Sequence, residues 1–348
     1  MTGTFDKTER GCSVKPHIIQ ILPMYHPDGE RTLAELATVK RFEQFDEPAI
    51  VDYMNEHHVD GIILRAPARI TRHLLEHCQT VTAISGAGIG LDNIDVDCAT
   101  EKGIKVLHAP KLNSTATAEH AAALLLAAMK NISVFDTEMK RGNFSSRDGN
   151  FTRELAGKTL GLVGFGSIAQ KLASMAFAGF GMNVLAYVRS ISDERQALAD
   201  SLGVELTLSV EEVFRRSDAV SLHIPLTEAT DGIIGKELFS LMKPEAVLVN
   251  TSRGGVIRES ELTDALNLGA LRHAAVDVYA DEPPAADHPF FSAANMTLTP
   301  HVGGISLEAA RETSVTIAEN LVKAIRGEPL DVIANARQLA AGNTGGIR

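Results

Sequence analysis

Cysteine is scarce in this chain: Cys12, Cys78 and Cys98 are all there is. The number is odd and no spacing matches a metal-ligand or redox pair. That argues against a disulfide framework, leaves no metal expected, and points to reduced thiols in a cytoplasm. Long apolar runs are missing too. The most apolar stretch, "HAAALLLAAM" (120–129), is far short of the roughly 20 residues that span a bilayer, and it reads as a buried helix. The opening "MTGTFDKTERGCSVKP" has no apolar signal core. Positive charge is not in surplus. With 33 Lys and Arg against 44 Asp and Glu, the formal charge is −11, a poor match for nucleic acid or an anionic membrane. Low-complexity runs and short repeats are absent. The expectation is a cytoplasmic protein with no membrane and no nucleic-acid partner.

What is present is ordinary for a globular protein: 45% hydrophobic and 22% charged residues. A chain of 348 residues exceeds one typical core and suggests two domains. Short β-branched runs at 17–23, 60–66, 80–88 and 104–110 read as strands, with helical stretches over 30–43 and 47–57. A helix from about Ala116 leads into a second strand series: "TLGLVGFG", "NVLAYV", "DAVSLHIP", "AVLVNTS", "HAAVDVY" and "MTLTPH". Strand–helix alternation with nearly continuous apolar strands predicts an α/β fold with parallel sheets covered on both faces. The first domain is expected over 1–115 and the second over 116–304. The segment "SLEAARETSVTIAENLVKAIRGEP" keeps helical spacing at Ile317, Leu321, Val322 and Ile325. It is expected to return to the first domain, so that 305–348 joins 1–115. The tail 333–348, rich in Ala, Gly and Asn, is expected to be mobile.

"KTLGLVGFGSIAQKLASMAFAGFGMNVLAYV" reads as one βαβ unit. Gly164 allows a tight turn after the strand. Gly166 lets the backbone approach a pyrophosphate. Ala169 is small enough for helix and strand to pack closely. The anion then rests on free N–H groups where the helix starts near Ser167. Gly164, Phe165, Gly166, Ser167 and Ile168 are therefore expected to bind a dinucleotide.

Seven segments carry a resemblance: "GAGIGLDNIDVDCATEKGIKVLHAP", "NSTATAEHAAALLLA", "GLVGFGSIAQ", "SLHIPLTEAT", "LMKPEAVLVNTSRGGVI", "AAVDVYADEPP" and "LTPHVGG". In this order, over about 60–310, the chain resembles the D-isomer-specific 2-hydroxyacid dehydrogenases. That family includes glyoxylate, hydroxypyruvate and phosphoglycerate oxidoreductases. The resemblance implies two Rossmann-like domains, with a substrate domain formed from both chain ends and an active site in the interdomain cleft. It also implies a homodimer joined mainly through the cofactor domains. The reaction implied is hydride transfer between a nicotinamide dinucleotide and a small anionic 2-keto or 2-hydroxy acid. Phosphoglycerate and phosphite dehydrogenase-like enzymes are alternatives, as is a dinucleotide-sensing, corepressor-like protein.

Reducing a 2-keto acid requires a grip on the carboxylate, polarisation of the ketone and a proton donor. Arg253 follows a strand, where a guanidinium can hold carboxylate and carbonyl together; taken by position alone it is equally an exposed loop arginine. His301, before Gly303 and Gly304, matches the family's proton donor. Glu282 matches its carboxylate partner, with Asp281 as the alternative. A carboxylate there orients the imidazole and favours its protonated form. The same match implies that Asp277 meets the nicotinamide carboxamide. His223, Ile224, Pro225, Thr251, Ser252, Gly303 and Gly304 are expected to border the cofactor. Of the "NSTATAEH" motif only Thr117 is carried over, because Ala116 stands where the family often has Ser. For the substrate, the expected contacts are Arg65, Ala66, Ile89, Gly90 and Arg253. Met24 and Tyr25 either shape the substrate side chain or pack the loop. Gly86 stands where many members have a larger or basic residue, which lowers the expectation of a phosphorylated substrate.

The strand "NVLAYVRSIS" lacks the acid that usually accepts hydrogen bonds from the adenosine ribose. Val188 neither accepts such bonds nor repels a 2′-phosphate. Arg189 and Ser190 can meet that phosphate with charge and a hydroxyl, so NADP is favoured over NAD. The alternative is that Asp193 or Glu194 serves the ribose from the following turn.

Overall fold

The computed structural model describes residues 14–86, 90–293 and 295–342. The fold is α/β with two parallel sheets. The chain divides into two compact units, Met1–Pro110 with Ala310–Arg348, and Lys111–Ala309.

The first unit has strands β1 (His17–Ile21), β2 (Thr38–Phe42), β3 (Gly61–Leu64), β4 (Ala83–Gly86) and β5 (Lys105–Leu107), in the order β2-β1-β3-β4-β5. Ile18, Ile19, Ile62, Ile63 and Ile84 are almost completely buried, as expected for strands covered on both faces. The helical expectation over 30–43 fails in its second half. The helix Pro27–Leu36 stops, Ala37 is extended, and Thr38–Phe42 pairs with β1 in the register His17↔Thr38. Thr38 and Val39 are β-branched and favour strand. Lys40 and Arg41 suit a half-exposed edge, where charge discourages further pairing. The segment 30–43 spans two elements of different period.

The helix Leu307–Ile325 packs in this unit from Ala310 onward, with Ile317, Leu321 and Val322 buried. Burial of each such side chain stabilises by about 1.5–3 kcal/mol. Glycines let it settle. A Cβ at Gly61 would stand 2.7 Å from Ile325 Cδ1, and one at Gly29 would overlap Ser314. Lys105 Nζ donates to Ala324 O at 2.8 Å.

The tail departs from expectation as far as it is described. Ile333 bridges Leu107 in antiparallel fashion, and Ala334 N–H donates to Val106 O at 2.8 Å. Asn335 is fully buried. Its Oδ1 accepts from Val106 N–H at 2.9 Å, and its Nδ2 donates to Thr100 Oγ1 and Ile104 O, each at 2.9 Å. A helix, Ala336–Gly342, follows. As the edge of its sheet, β5 exposes backbone groups that need partners, and the tail supplies them. Residues 343–348 lie outside the described residues.

The second unit has β6 (Thr159–Val163), β7 (Asn183–Tyr187), β8 (Val204–Thr207), β9 (Ala219–Leu222), β10 (Val247–Asn250), β11 (His273–Val276) and β12 (Met296–Leu298), in the order β12-β11-β10-β9-β6-β7-β8. The chain winds outward from β6 to β8, then returns beside β6 as β9 and winds the other way. Strand order reverses between β6 and β9, and ligands of open α/β sheets bind outside the carboxyl ends of the strands at such a point. The helix Ser114–Lys130 packs on this sheet through Ala121, Ala122, Leu124, Leu125 and Ala128. Its last carbonyls are capped by Arg272, which donates to Ala128 O at 2.9 Å.

Candidate active site

At the carboxyl end of β6, Gly164 has φ +100°, and a Cβ there would lie 2.7 Å from His223 O. Handedness and crowding both require glycine. Gly166 is different. Its surroundings are open within 4 Å of a Cβ, and it caps the helix Ser167–Ser174 without a side-chain hydrogen bond. That leaves the first helical N–H groups for an anion. Ala169 is fully buried beneath the turn, and Phe165 is 8% exposed. Ser167 Oγ lies 3.1 Å from Ser114 Oγ, and Ile168 is half-buried.

Beyond β7, Val188 is buried in the core while Arg189 and Ser190 are exposed. Sequence reasoning missed Arg195. From the helix Asp193–Ser201, its Nη1 donates to Ser190 O and to Ser190 Oγ, the latter at 3.2 Å. Ser192 caps that helix by accepting from Arg195 N–H. The cap marks where the helix starts, but not that the Arg195 side chain turns back to Ser190. Asp193 and Glu194 are exposed in the first turn, where acids suit the helix dipole.

After β9, burial pushes the His223 imidazole down to about 4, and its Nε2 lies 3.0 Å from Ser221 Oγ. Ile224 is half-buried and Pro225 is exposed. After β10, buried Asn250 shapes the next turn. Its Oδ1 accepts from Ser252 N–H and Ser252 Oγ, and its Nδ2 donates to Arg253 O at 2.9 Å. Thr251 is 7% exposed. Arg253 Nη1 donates to Ser252 O at 2.7 Å. A side chain at Gly254 would overlap the Tyr279 backbone, so glycine lets the loops after β10 and β11 touch.

His301 and Glu282 meet in the loops after β12 and β11, with His301 Nδ1 2.6 Å from Glu282 Oε2. The other oxygen, Oε1, accepts from Tyr279 N–H at 3.1 Å. Asp281 is exposed, so of the two neighbouring acids Glu282 is the one that faces His301. Burial pushes the Glu282 carboxyl up. The hydrogen bond and charge of His301, Tyr279 N–H and the Arg253 charge outweigh it and hold the group below its ordinary 4.5.

Asp277 is 1% exposed, and its carboxylate faces inward. Oδ1 accepts from Thr299 Oγ1 at 2.6 Å and Val302 N–H at 2.9 Å, and Oδ2 from Gly303 N–H at 2.8 Å. Burial raises its pKa, but these donors and His120 keep it below the usual 3.8. A Cβ at Gly304 would stand 2.6 Å from Asn113 Nδ2. Thr117 is 6% exposed, and its hydroxyl donates to Asn113 O within the same helix.

In the first unit, Arg65 donates to Pro23 O and Ala66 O and lies over the Tyr25 ring at 5.1 Å. A shallow depression at the ends of β1 and β3 is lined by Leu22, Met24, Tyr25, Arg65, Ser314 and Ile317. Gly90 is half-buried after β4, and Ile89 lies outside the described residues. A Cβ at Gly86 would face Ile94 and Leu91 at 3.6 and 3.8 Å. Both of those neighbours are apolar side chains. Among the described residues, no three His, Cys, Asp or Glu side chains form a metal cluster, and no helix is long and apolar enough to cross a membrane.

A doubly wound sheet with a glycine turn at its point of strand reversal defines a Rossmann-type, dinucleotide-binding α/β protein. Residues 122–303 match the model of the D-isomer specific 2-hydroxyacid dehydrogenase NAD binding domain. The chain belongs to the D-isomer-specific 2-hydroxyacid dehydrogenase family. It is 38% identical over 310 residues to D-3-phosphoglycerate dehydrogenase of Methanocaldococcus jannaschii, covering 89% of this chain and 58% of that protein. The chain spans about half the length of the curated relatives it matches. A glyoxylate reductase structure from Paecilomyes thermophila aligns with a TM-score of 0.82 at 29% identity, covering 92% of this chain and 99% of that one. An acyclic imino acid reductase in complex with NADPH and D-Arg aligns with a TM-score of 0.79 at 28% identity, covering 91% and 99%.

Proposed function

We propose that this chain is an oxidoreductase that moves a hydride between a nicotinamide dinucleotide and a small anionic 2-keto or 2-hydroxy acid. The observation that carries this reading is the 2.6 Å pair of His301 and Glu282, set in the same unit as the glycine turn. Gly164, Phe165, Gly166, Ser167 and Ile168 hold the pyrophosphate, and His223, Ile224, Pro225, Thr251, Ser252, Gly303 and Gly304 border the rest. When bound, the dinucleotide supplies or accepts the hydride. Arg253 grips the substrate carboxylate through its fork of donors. In reduction, His301 delivers a proton from Nε2 to the substrate oxygen. Glu282 stays ionised, holds the Nδ1 proton and compensates the imidazolium charge.

NADP is favoured over NAD. Arg189, Ser190 and Arg195 offer two cations and a hydroxyl where an acid would repel a 2′-phosphate. The NADPH in the related imino acid reductase structure supports the same choice. The relatives named D-3-phosphoglycerate dehydrogenase favour a second reading, in which a phosphorylated 2-hydroxy acid is oxidised. A homodimer is the proposed assembly. The helix Ile132–Lys140 buries none of its residues, and Ile132, Met139, Phe144 and Phe151 stand exposed on it and the segment after it. The test is a panel of glyoxylate, hydroxypyruvate, pyruvate, longer 2-keto acids, 3-phosphoglycerate and phosphite with both cofactors. Reduction of an unphosphorylated 2-keto acid, faster with NADPH, is expected. Dinucleotide binding without turnover on any substrate would instead indicate a sensor protein.

A further inference from the structure

We propose that His120 is a positioning residue that fixes the loop carrying His301. This rests on the reading of His301 as the proton donor. The His301 backbone is left-handed, with φ +55°, a conformation that costs energy for a residue with a Cβ and needs support from its surroundings. Support comes from Asp277. His301 N–H donates to Asp277 O at 2.8 Å, and the next two N–H groups, of Val302 and Gly303, donate to its two carboxylate oxygens at 2.9 and 2.8 Å.

Thr299 Oγ1 gives its single proton to Asp277 Oδ1 at 2.6 Å. Toward His120 Nε2, at 3.0 Å, that hydroxyl must therefore accept, so the Nε2 nitrogen of His120 carries a proton. The same nitrogen lies 3.3 Å from Asp277 Oδ1. His120 thus completes a network joining the helix Ser114–Lys130 to both ends of the 299–303 loop. The ring is also a wall: a Cβ at Gly303 would stand 3.1 Å from His120 Cδ2 and 2.9 Å from Asp277 Oδ2. Gly303 is small because the loop closes against this pair. The network keeps the loop in one conformation, and small displacements of a proton donor are costly in rate.

Two variants separate the donor from the ring. His120→Phe keeps the ring and removes the donor. His120→Gln keeps an N–H donor near the Nε2 position. We expect His120→Phe to lower kcat about tenfold and His120→Gln to stay within about threefold of wild type, the scale of one hydrogen bond. Hydrogen exchange of 299–304 is faster in His120→Phe and restored in His120→Gln. The proposal is overturned if the two variants lose kcat alike, or if His120→Phe exchanges at the wild-type rate. Should His120→Phe fail to fold, Thr299→Ser and Thr299→Val test the acceptor side: serine retains protection of the loop, valine loses it, and equal protection overturns the proposal. Exchange needs no turnover. Wild type inactive across the substrate panel would remove the hydride-transfer reading, while exchange would still decide the positioning role.

Discussion

Replacing Glu282 by Gln removes one charge and almost no volume. The carboxylate accepts two hydrogen bonds, from His301 Nδ1 at 2.6 Å and from Tyr279 N–H at 3.1 Å. A carboxamide has one accepting oxygen. If it faces Tyr279, the NH2 group confronts the Nδ1 proton of His301. If it faces His301, the Tyr279 amide loses its partner and the imidazolium still lacks a counter-charge. Either arrangement forfeits a charge-assisted hydrogen bond, worth about 1.5–3 kcal/mol. At about 1.36 kcal/mol per tenfold, kcat for ketone reduction falls by between about 13-fold and about 160-fold. Cofactor KM is unchanged, because the glycine turn and the Arg189 region are untouched. Glu282→Asp keeps the charge but shortens the reach, so an intermediate rate is expected. Steady-state kinetics with the best substrate of the panel provides the measurement, with circular dichroism to verify the fold. A folded Glu282→Gln enzyme with kcat within about threefold of wild type would refute the role given to the His301–Glu282 pair.

The two glycines of the turn separate binding from folding. Gly166→Ala faces open space, so Tm is unchanged while dinucleotide affinity drops at least about tenfold. Gly164→Ala loses both, and a stable Gly164→Ala protein that binds NADPH normally would contradict the geometry. Asn335→Ala strips partners from Val106 N–H and Ile104 O in a fully buried place. It costs about 2–5 kcal/mol and lowers Tm by about 5 °C or more; a Tm within about a degree of wild type counts against the docked tail. For pH, burial holds His223 and His273 down to about 4 against an ordinary 6.5. The unfolded chain then binds more protons between those values. Stability is full above 6.5 and falls as pH drops to about 4, by up to about 3 kcal/mol per group. Glu282 acts in the same direction, but only below its ordinary 4.5. Urea midpoints that stay flat from pH 7 to 4 would show that these histidines are not buried as neutral rings.

Much of the candidate site was legible because it rests on short-range rules. A strand, a glycine turn and a small-residue helix occur within a dozen residues of one another, so Gly164, Gly166 and Ala169 declare themselves. Arg253, Glu282 and His301 were singled out through the resemblance of their motifs to the family. Arg195 was not legible, because its contact with Ser190 depends on how the helix after β7 turns back. The edge strand Thr38–Phe42 was misread because it follows a helix after one residue, and the pairing with β1 that stabilises it lies outside any local window.

The sequence by itself determined most of the alternation of strands and helices and the parallel α/β class, since periodicity and local turn chemistry operate between neighbours, and its ordered motifs carried the resemblance to the family. Only the tertiary structure decided that Asn335 closes the edge of β5, that the Asp277 carboxylate faces inward onto the 299–303 loop, and that His120, 181 positions before His301 (301 − 120), braces it. Asn335 and Asp277 are buried and His120 is half-buried; such polar groups must find their hydrogen-bond partners in space, and no rule of sequence spacing tells which distant residue that partner will be.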